Sequence, residues 1–305
     1  TLALIIDVII GAKSSKSSDQ SLTRNNKSIL EFNDVSSIVT DVLEQPKGKS
    51  EAVKYTLKYW KIPSVNDIQK EINDTTYAFV RSLLWSHKNY YFAFFGQPTD
   101  RIWGYKLEGH HLSVNFTFVN DKLSVTPFFI GTDPAEYQNS EYAGWRVLGQ
   151  EEDLGIKLVN LFTPAQQKKA TMSTAVPKDI ITAAESGKRL VGNWGILGAA
   201  MNEKQRAVLQ YIIREFVFNL EYDKAVIEYD KIIKAGVDKI YFGWIGEYEE
   251  KKPHYYVLNG PTFIIEFDNN GGPRNGANHI HAIWREKGNE YGEDVLKNHY
   301  QVEKH

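Results

Sequence analysis

His279 and His281 stand two residues apart in NHIHAIWRE, residues 278–286, a segment with the pattern of a β-strand. Side chains at i and i+2 leave the same face of a strand with Cα atoms about 6.5–7 Å apart, so both imidazoles can reach one metal ion. Ile280, Ala282 and Trp284 fall on the opposite face, and the alternation assigns the histidines to the side turned away from the core. The plain alternative is a pair of surface or hydrogen-bonded imidazoles.

The segment just upstream, GPTFIIEFDNN, supplies acids. Phe263, Ile265 and Phe267 alternate with Thr262, Ile264, Glu266 and Asp268, which predicts a second strand with two carboxylates on its less apolar face. NNGGPRNGAN between the two runs is turn chemistry, so a hairpin with a long loop is expected. If its register pairs the two polar faces, Glu266 and Asp268 lie beside His279 and His281. Two imidazoles and one or two carboxylates suit zinc, iron or copper, and spacing does not choose among them.

An internal repeat brings in a third imidazole. YFAFFG and WGYKLEGHHLSVNFTF within residues 91–118 echo YFGWIG and HYYVLNGPTFIIEFD within 241–268. Gly96 matches Gly246 at an offset of 150, while Tyr105, Leu107, Gly109, Leu112, Val114 and Phe116 match Tyr256, Leu258, Gly260, Phe263, Ile265 and Phe267 at 151. On this alignment His111, Ser113, Asn115 and Thr117 share the face type of Glu266 and Asp268, and His110 lies on the apolar side as a core or outer-shell residue. Two sheets meeting at that face would bring His111 and Asn115 toward His279, His281 and Glu266. Chance agreement between two amphipathic strand pairs is the competing explanation.

These segments need a scaffold, and 305 residues with 42% hydrophobic and 13% aromatic content suffice for a substantial core. The expected fold is α+β, in two related halves that pack as one unit. Each half is a mostly antiparallel sheet with flanking helices, over 31–175 and 176–305, after a signal-like or linker segment at 1–30. Helical rhythm runs through 31–60, with a further helix from Ser64 to about Leu84. Strands are predicted at 89–96, 102–108, 110–119 and 122–129, with Asn120-Asp121 as a tight turn, followed by a long aromatic loop over 126–149. Helices are expected at 150–160, 163–174 (Thr163 as N-cap and Pro164 at N1), 202–220 and 222–235. A second sheet follows over 238–285. A closing helix over Tyr291–Tyr300 carries Asp294 and His299.

The formal net charge is −2, with no basic stripe and no nucleic-acid-binding motif, so nucleic acid is not an expected partner. There is no cysteine, which confines any metal to nitrogen and oxygen ligands. TLALIIDVIIGA has the size of a signal-peptide core but is too short to span a bilayer as a helix, and an extracytoplasmic location is the expectation.

GHHLSVNF, TPFFIGTDPA, GPTFIIEFDN, NHIHAIWRE and GEDVLKNHY, in that order, resemble a bacterial family known as domain of unknown function 3500. The resemblance covers roughly residues 75–300. It implies export and places the family's motif residues on His110, His111, Glu266, Asp268, His279, His281 and Arg285, without implying a reaction.

The functional expectation is an exported, metal-dependent enzyme, hydrolytic or oxidative, acting on an unspecified small-molecule or polymer substrate. His111, His279 and His281 hold the ion, Glu266 is a fourth ligand or general base, and Arg285 steadies an anion or forms a structural ion pair. Asn115, Asp268 and His110 form the outer shell. The other class of reading is a noncatalytic module for metal, carbohydrate or peptide, with Trp103, Trp145, Trp194, Trp244, Tyr255 and Tyr256 lining a cleft. A glycosidase pair drawn from Glu108, Glu266 and Asp268 also stays open. No GxSxG elbow, P-loop, HExxH or strand-linked GxGxxG is present.

Overall fold

Two runs of period-two alternation become two meanders of strands, and these join edge to edge. The computed structural model describes residues 91–120, 122–136, 143–144, 146–183, 190, 192–270, 277–294 and 296. The predicted helices of 31–84, the segment 1–30, Asp121, Trp145 and His299 lie outside the described residues. The first meander is β1 (Tyr91–Phe95), β2 (Ile102–Gly109), β3 (Leu112–Val119), the short β4 (Lys122–Ser124) and β5 (Phe128–Thr132). Helices α1 (Gly149–Asn160) and α2 (Pro164–Ala170) lead to β6 (Thr171–Ser173) and β7 (Ile196–Leu197). Helices α3 (Glu203–Val217) and α4 (Tyr222–Ala235) precede β8 (Tyr241–Gly246), β9 (His254–Asn259), β10 (Phe263–Asn269) and β11 (Ile280–Glu286).

The eleven strands of the described residues form a single sheet in the order β1-β2-β3-β5-β11-β10-β9-β8-β6, with β4 on β3 and β7 on β8. The fold is therefore α+β and mostly antiparallel, β6 on β8 being the parallel pair. The expectation of two sheets facing each other gives way to one continuous sheet. Its seam is the antiparallel pairing of β5 with β11, Ile280 opposite Thr132 through Trp284 opposite Phe128. The seam escapes a reading of the sequence because FFIGT sits between Pro127 and Pro134 and looks like part of a long loop. The two prolines bracket a five-residue strand instead of breaking one.

The matched positions of the two meanders keep the same register. Tyr105 stands opposite Phe116 and Tyr256 opposite Phe267, each pair with its rings stacked, at 4.6 and 5.1 Å between centroids. Gly96 and Gly246 both have left-handed backbone, at φ 74° and 97°.

One face of the sheet carries the main core, where Phe128, Trp284, Phe267, Tyr256, Phe242 and Trp244 are nearly or wholly buried. α1 lies close against it. A Cβ at Gly155 would stand 2.5 Å from the Tyr256 ring, and the Tyr256 hydroxyl donates to Glu151 O. α2 and α3 both start with capping boxes, Thr163 with Gln166 and Asn202 with Gln205, so four backbone donors find acceptors within their own turns. α2 ends at Ala170 rather than 174 because Thr171–Ser173 joins the sheet edge as β6. From there residues 174–183 run as a strap across the other face. Met172, Val176, Ile181 and Leu190 pack there on Ile245, Tyr255, Val257 and Ile264 as a second, smaller core. Of the closing helix, the described part is a 3-10 turn at Glu290–Gly292 followed by a short helical stretch. Among the described residues no helix is long and apolar enough to cross a membrane.

Candidate metal centre

A single row of residues crosses five strands at the strap side of the sheet. Ile245 pairs with Tyr255, Tyr255 with Asp268, Asp268 with His281 and His281 with Gly131. The Gly131 N–H then donates to His111 O at 2.8 Å. His111 is not a strand residue as the alternation suggested. With His110 it forms the two-residue turn between β2 and β3, at φ 58°, a left-handed conformation uncommon for a side chain other than glycine. From that turn its ring lies over Gly131. A Cβ there would stand 2.9 Å from His111 Cδ2 and 2.8 Å from Ile280 O, so only glycine permits the approach.

The ring thereby reaches the pair on β11. His111 Nε2 lies 2.8 Å from His279 Nε2, and ring centroids are 4.9 Å apart for 111–279, 5.2 Å for 111–281 and 4.6 Å for 279–281. One ring nitrogen from each of the three falls within 4.8 Å of the other two. Two nitrogens bound to one zinc ion at about 2.0–2.1 Å stand roughly 3.3 Å apart, so a shift of about half an ångström turns the 111–279 contact into a chelate. Burial, and then the neighbouring imidazoles His110, His279 and His281, hold the His111 pKa well below its ordinary value. Both effects favour the neutral form of the ring, the form that can ligate a metal. The His110 ring lies beside that of His111, tilted by 39° with centroids 3.9 Å apart.

The segment before β11 is pinned from both sides. The His279 N–H donates to Asn269 Oδ1 at 3.3 Å, and Asn278 Oδ1 accepts from Ala135 N and Glu136 N at 3.1 and 3.3 Å. His281 Nδ1 lies 2.8 Å from Asp179 Oδ1 on the strap. Burial pushes the Asp179 pKa up, but the hydrogen bond and charge of His281 outweigh it, and the group sits below the ordinary carboxylate range. Asp268, His281 and Asp179 form a second set with ligand atoms within 4.8 Å of one another. Asp268 is fully buried, and desolvation and the Asp179 charge push its pKa up to about 8.

The remaining expected site residues are placed elsewhere. Glu266 lies on the expected face but opposite Ile283, one pleat beyond His281, outside both sets. Its carboxylate accepts from Ile181 N at 2.6 Å, Thr182 N at 3.2 Å, the Thr182 hydroxyl and the Tyr255 hydroxyl at 2.8 Å. Arg285 donates to Thr182 Oγ1 at 2.9 Å and Thr182 O at 2.6 Å, and pairs with Glu290 at 2.6 Å rather than with Glu266 or Asp268. Glu266 and Arg285 thus clamp the strap that delivers Asp179. Asn115 is buried away from the imidazoles and donates to Pro127 O at 2.8 Å. Of the rings suggested for a cleft, Trp244, Tyr255 and Tyr256 are core, and Trp103 stacks on Phe118 at 4.2 Å. Asp179 carried no sequence signal, being a lone acid in an unpatterned stretch; the strap's path alone reveals it.

The fold and the cluster define an α+β protein with a single antiparallel-dominated sheet and three imidazoles gathered at its seam. The chain belongs to the family described as Protein of unknown function (DUF3500), whose model matches residues 23–293. No curated protein and no solved structure matches it.

Proposed function

We propose that this protein binds one transition-metal ion through His111, His279 and His281 and uses it in a metal-dependent reaction. The observation that carries the reading is the convergence of three imidazole nitrogens within 4.8 Å from two separate parts of the chain. The Asp179 contact to His281 Nδ1 supports it, because a carboxylate on the far nitrogen orients an imidazole and raises its basicity toward a metal. Three protein ligands leave a position for water or substrate, and a bound ion lowers the pKa of such a water toward about 7. Zinc, iron and copper all accept this ligand set, and the reaction is hydrolytic or oxidative. An extracytoplasmic location belongs to the same reading, supported by the apolar run at 2–12. So does descent of the two meanders from one repeated unit, supported by their shared register and left-handed glycines.

Elemental analysis and zinc titration of the purified chain test the proposal. A folded His111→Ala variant is expected to bind zinc more weakly, by more than the roughly 10–100-fold typical of losing an outer-shell partner. Zinc bound equally well by the variant and the unaltered chain would remove the proposed centre. Gly131→Ala probes the same geometry without touching a ligand. The added methyl displaces the His111 ring and presses on Ile280 O, so zinc affinity drops about tenfold and stability falls by about 1–3 kcal/mol. Unchanged zinc affinity in this variant would show that the His111 ring does not need its place above β5.

A further inference from the structure

We propose that a second divalent cation binds beside the first, held by Asp179 and Asp268 with His281 shared between the two ions. This rests on the three-histidine reading for its neighbour but not for its own ligands. The two sets of ligand atoms have only His281 in common, so the aspartates do not complete the coordination of an ion held by His111 and His279. Shared between the two ions, His281 would bind as an imidazolate, its remaining ring N–H proton released to solvent, with Nδ1, 2.8 Å from Asp179 Oδ1, turned to the second ion.

Asp268 supplies the independent evidence. Its side chain is fully buried, Asn270 Nδ2 donates to Oδ2 at 3.1 Å, and Oδ1 has no hydrogen-bond partner among the described residues. No Lys or Arg among the described residues neutralises either aspartate. A buried carboxylate with a bare oxygen, next to a second carboxylate, is costly unless a cation sits between them. The site is also braced, since Asn270 donates both to Asp268 and to Lys178 O on the strap, tying the two acids together. Two carboxylate oxygens and one nitrogen admit a harder ion such as manganese more readily than three imidazoles do, and they also accept zinc.

Zinc titration with elemental analysis separates this site from its neighbour. The full chain is expected to take up two zinc ions and an Asp179→Asn/Asp268→Asn variant one, with Asp179→Asn alone, at a half-exposed position, as the control should the double variant fail to fold. One ion in both the unaltered chain and the variant overturns the second site and leaves the three-histidine centre standing. Two ions in both put the extra ion elsewhere and also overturn it. Loss of both ions in a folded variant makes the aspartates ligands of the same ion and ends the separate site. No zinc bound by the unaltered chain defeats both proposals.

Discussion

Replacing Glu266 with alanine is expected to destabilise the protein by about 3 kcal/mol while leaving zinc at the three histidines bound within about tenfold. The carboxylate is fully buried and accepts from Ile181 N, Thr182 N and the hydroxyls of Thr182 and Tyr255. Truncation leaves these donors facing a small apolar hole, and the strap loses its main tie to β10. Were Glu266 a metal ligand instead, zinc affinity would drop as far as it does when a histidine is removed. Melting temperature and zinc titration on the same sample distinguish the two outcomes. Acidity adds a second readout. Burial raises the Glu266 pKa despite its four donors, so the folded chain keeps this proton to higher pH than the unfolded chain. Its contribution is then full below the unfolded carboxylate pKa and is lost as pH rises through the folded value. Glu266→Gln, which cannot titrate, is expected to flatten that part of the stability profile.

Trp284→Ala is expected to cost about 3–5 kcal/mol, the range for emptying a large aromatic site in a packed interior. Trp284 is 1% exposed, sits opposite Phe128 across the seam and packs near its ring at 6.4 Å between centroids. The same strand presents His281 and Arg285 on its other face, so a cavity beneath the seam also loosens the imidazole cluster. Trp284→Phe is the informative control. The indole N–H has no hydrogen-bond partner among the described residues, so only volume is lost, and a cost of about 1–2 kcal/mol is expected. Denaturant unfolding of both variants checks the pair; equal costs would mean that ring volume does not govern this position.

What could be read from the sequence follows the physics of alternation. Period-two patterning assigns the faces of β10 and β11, and so puts Glu266 and Asp268 on the side of His279 and His281, because a one-residue slip would turn phenylalanines to the strap side. The caps at Thr163 and Asn202 mark helix starts because their chemistry is local. The seam was illegible because edge-to-edge joining of β5 and β11 depends on contacts about 150 residues apart and on a strand flanked by prolines. For Glu266, expected as a fourth ligand or general base, parity gives a face but not a level along the strand, and one pleat separates it from His281. Asp179 depends wholly on the strap, whose course is set by Glu266 and Arg285 and not by any periodicity of its own.

The central position of β11 has a consequence for how the chain is made. Among the described residues it follows every other strand in chain order, yet it is inserted between β5 and β10 in the middle of the sheet. During synthesis both neighbours present unpaired backbone until residues 280–286 emerge, a state prone to sticking to other nascent chains. Two of the three imidazoles arrive with that last strand. A partly made or prematurely terminated polypeptide therefore has open edges and lacks two of the three clustered imidazoles.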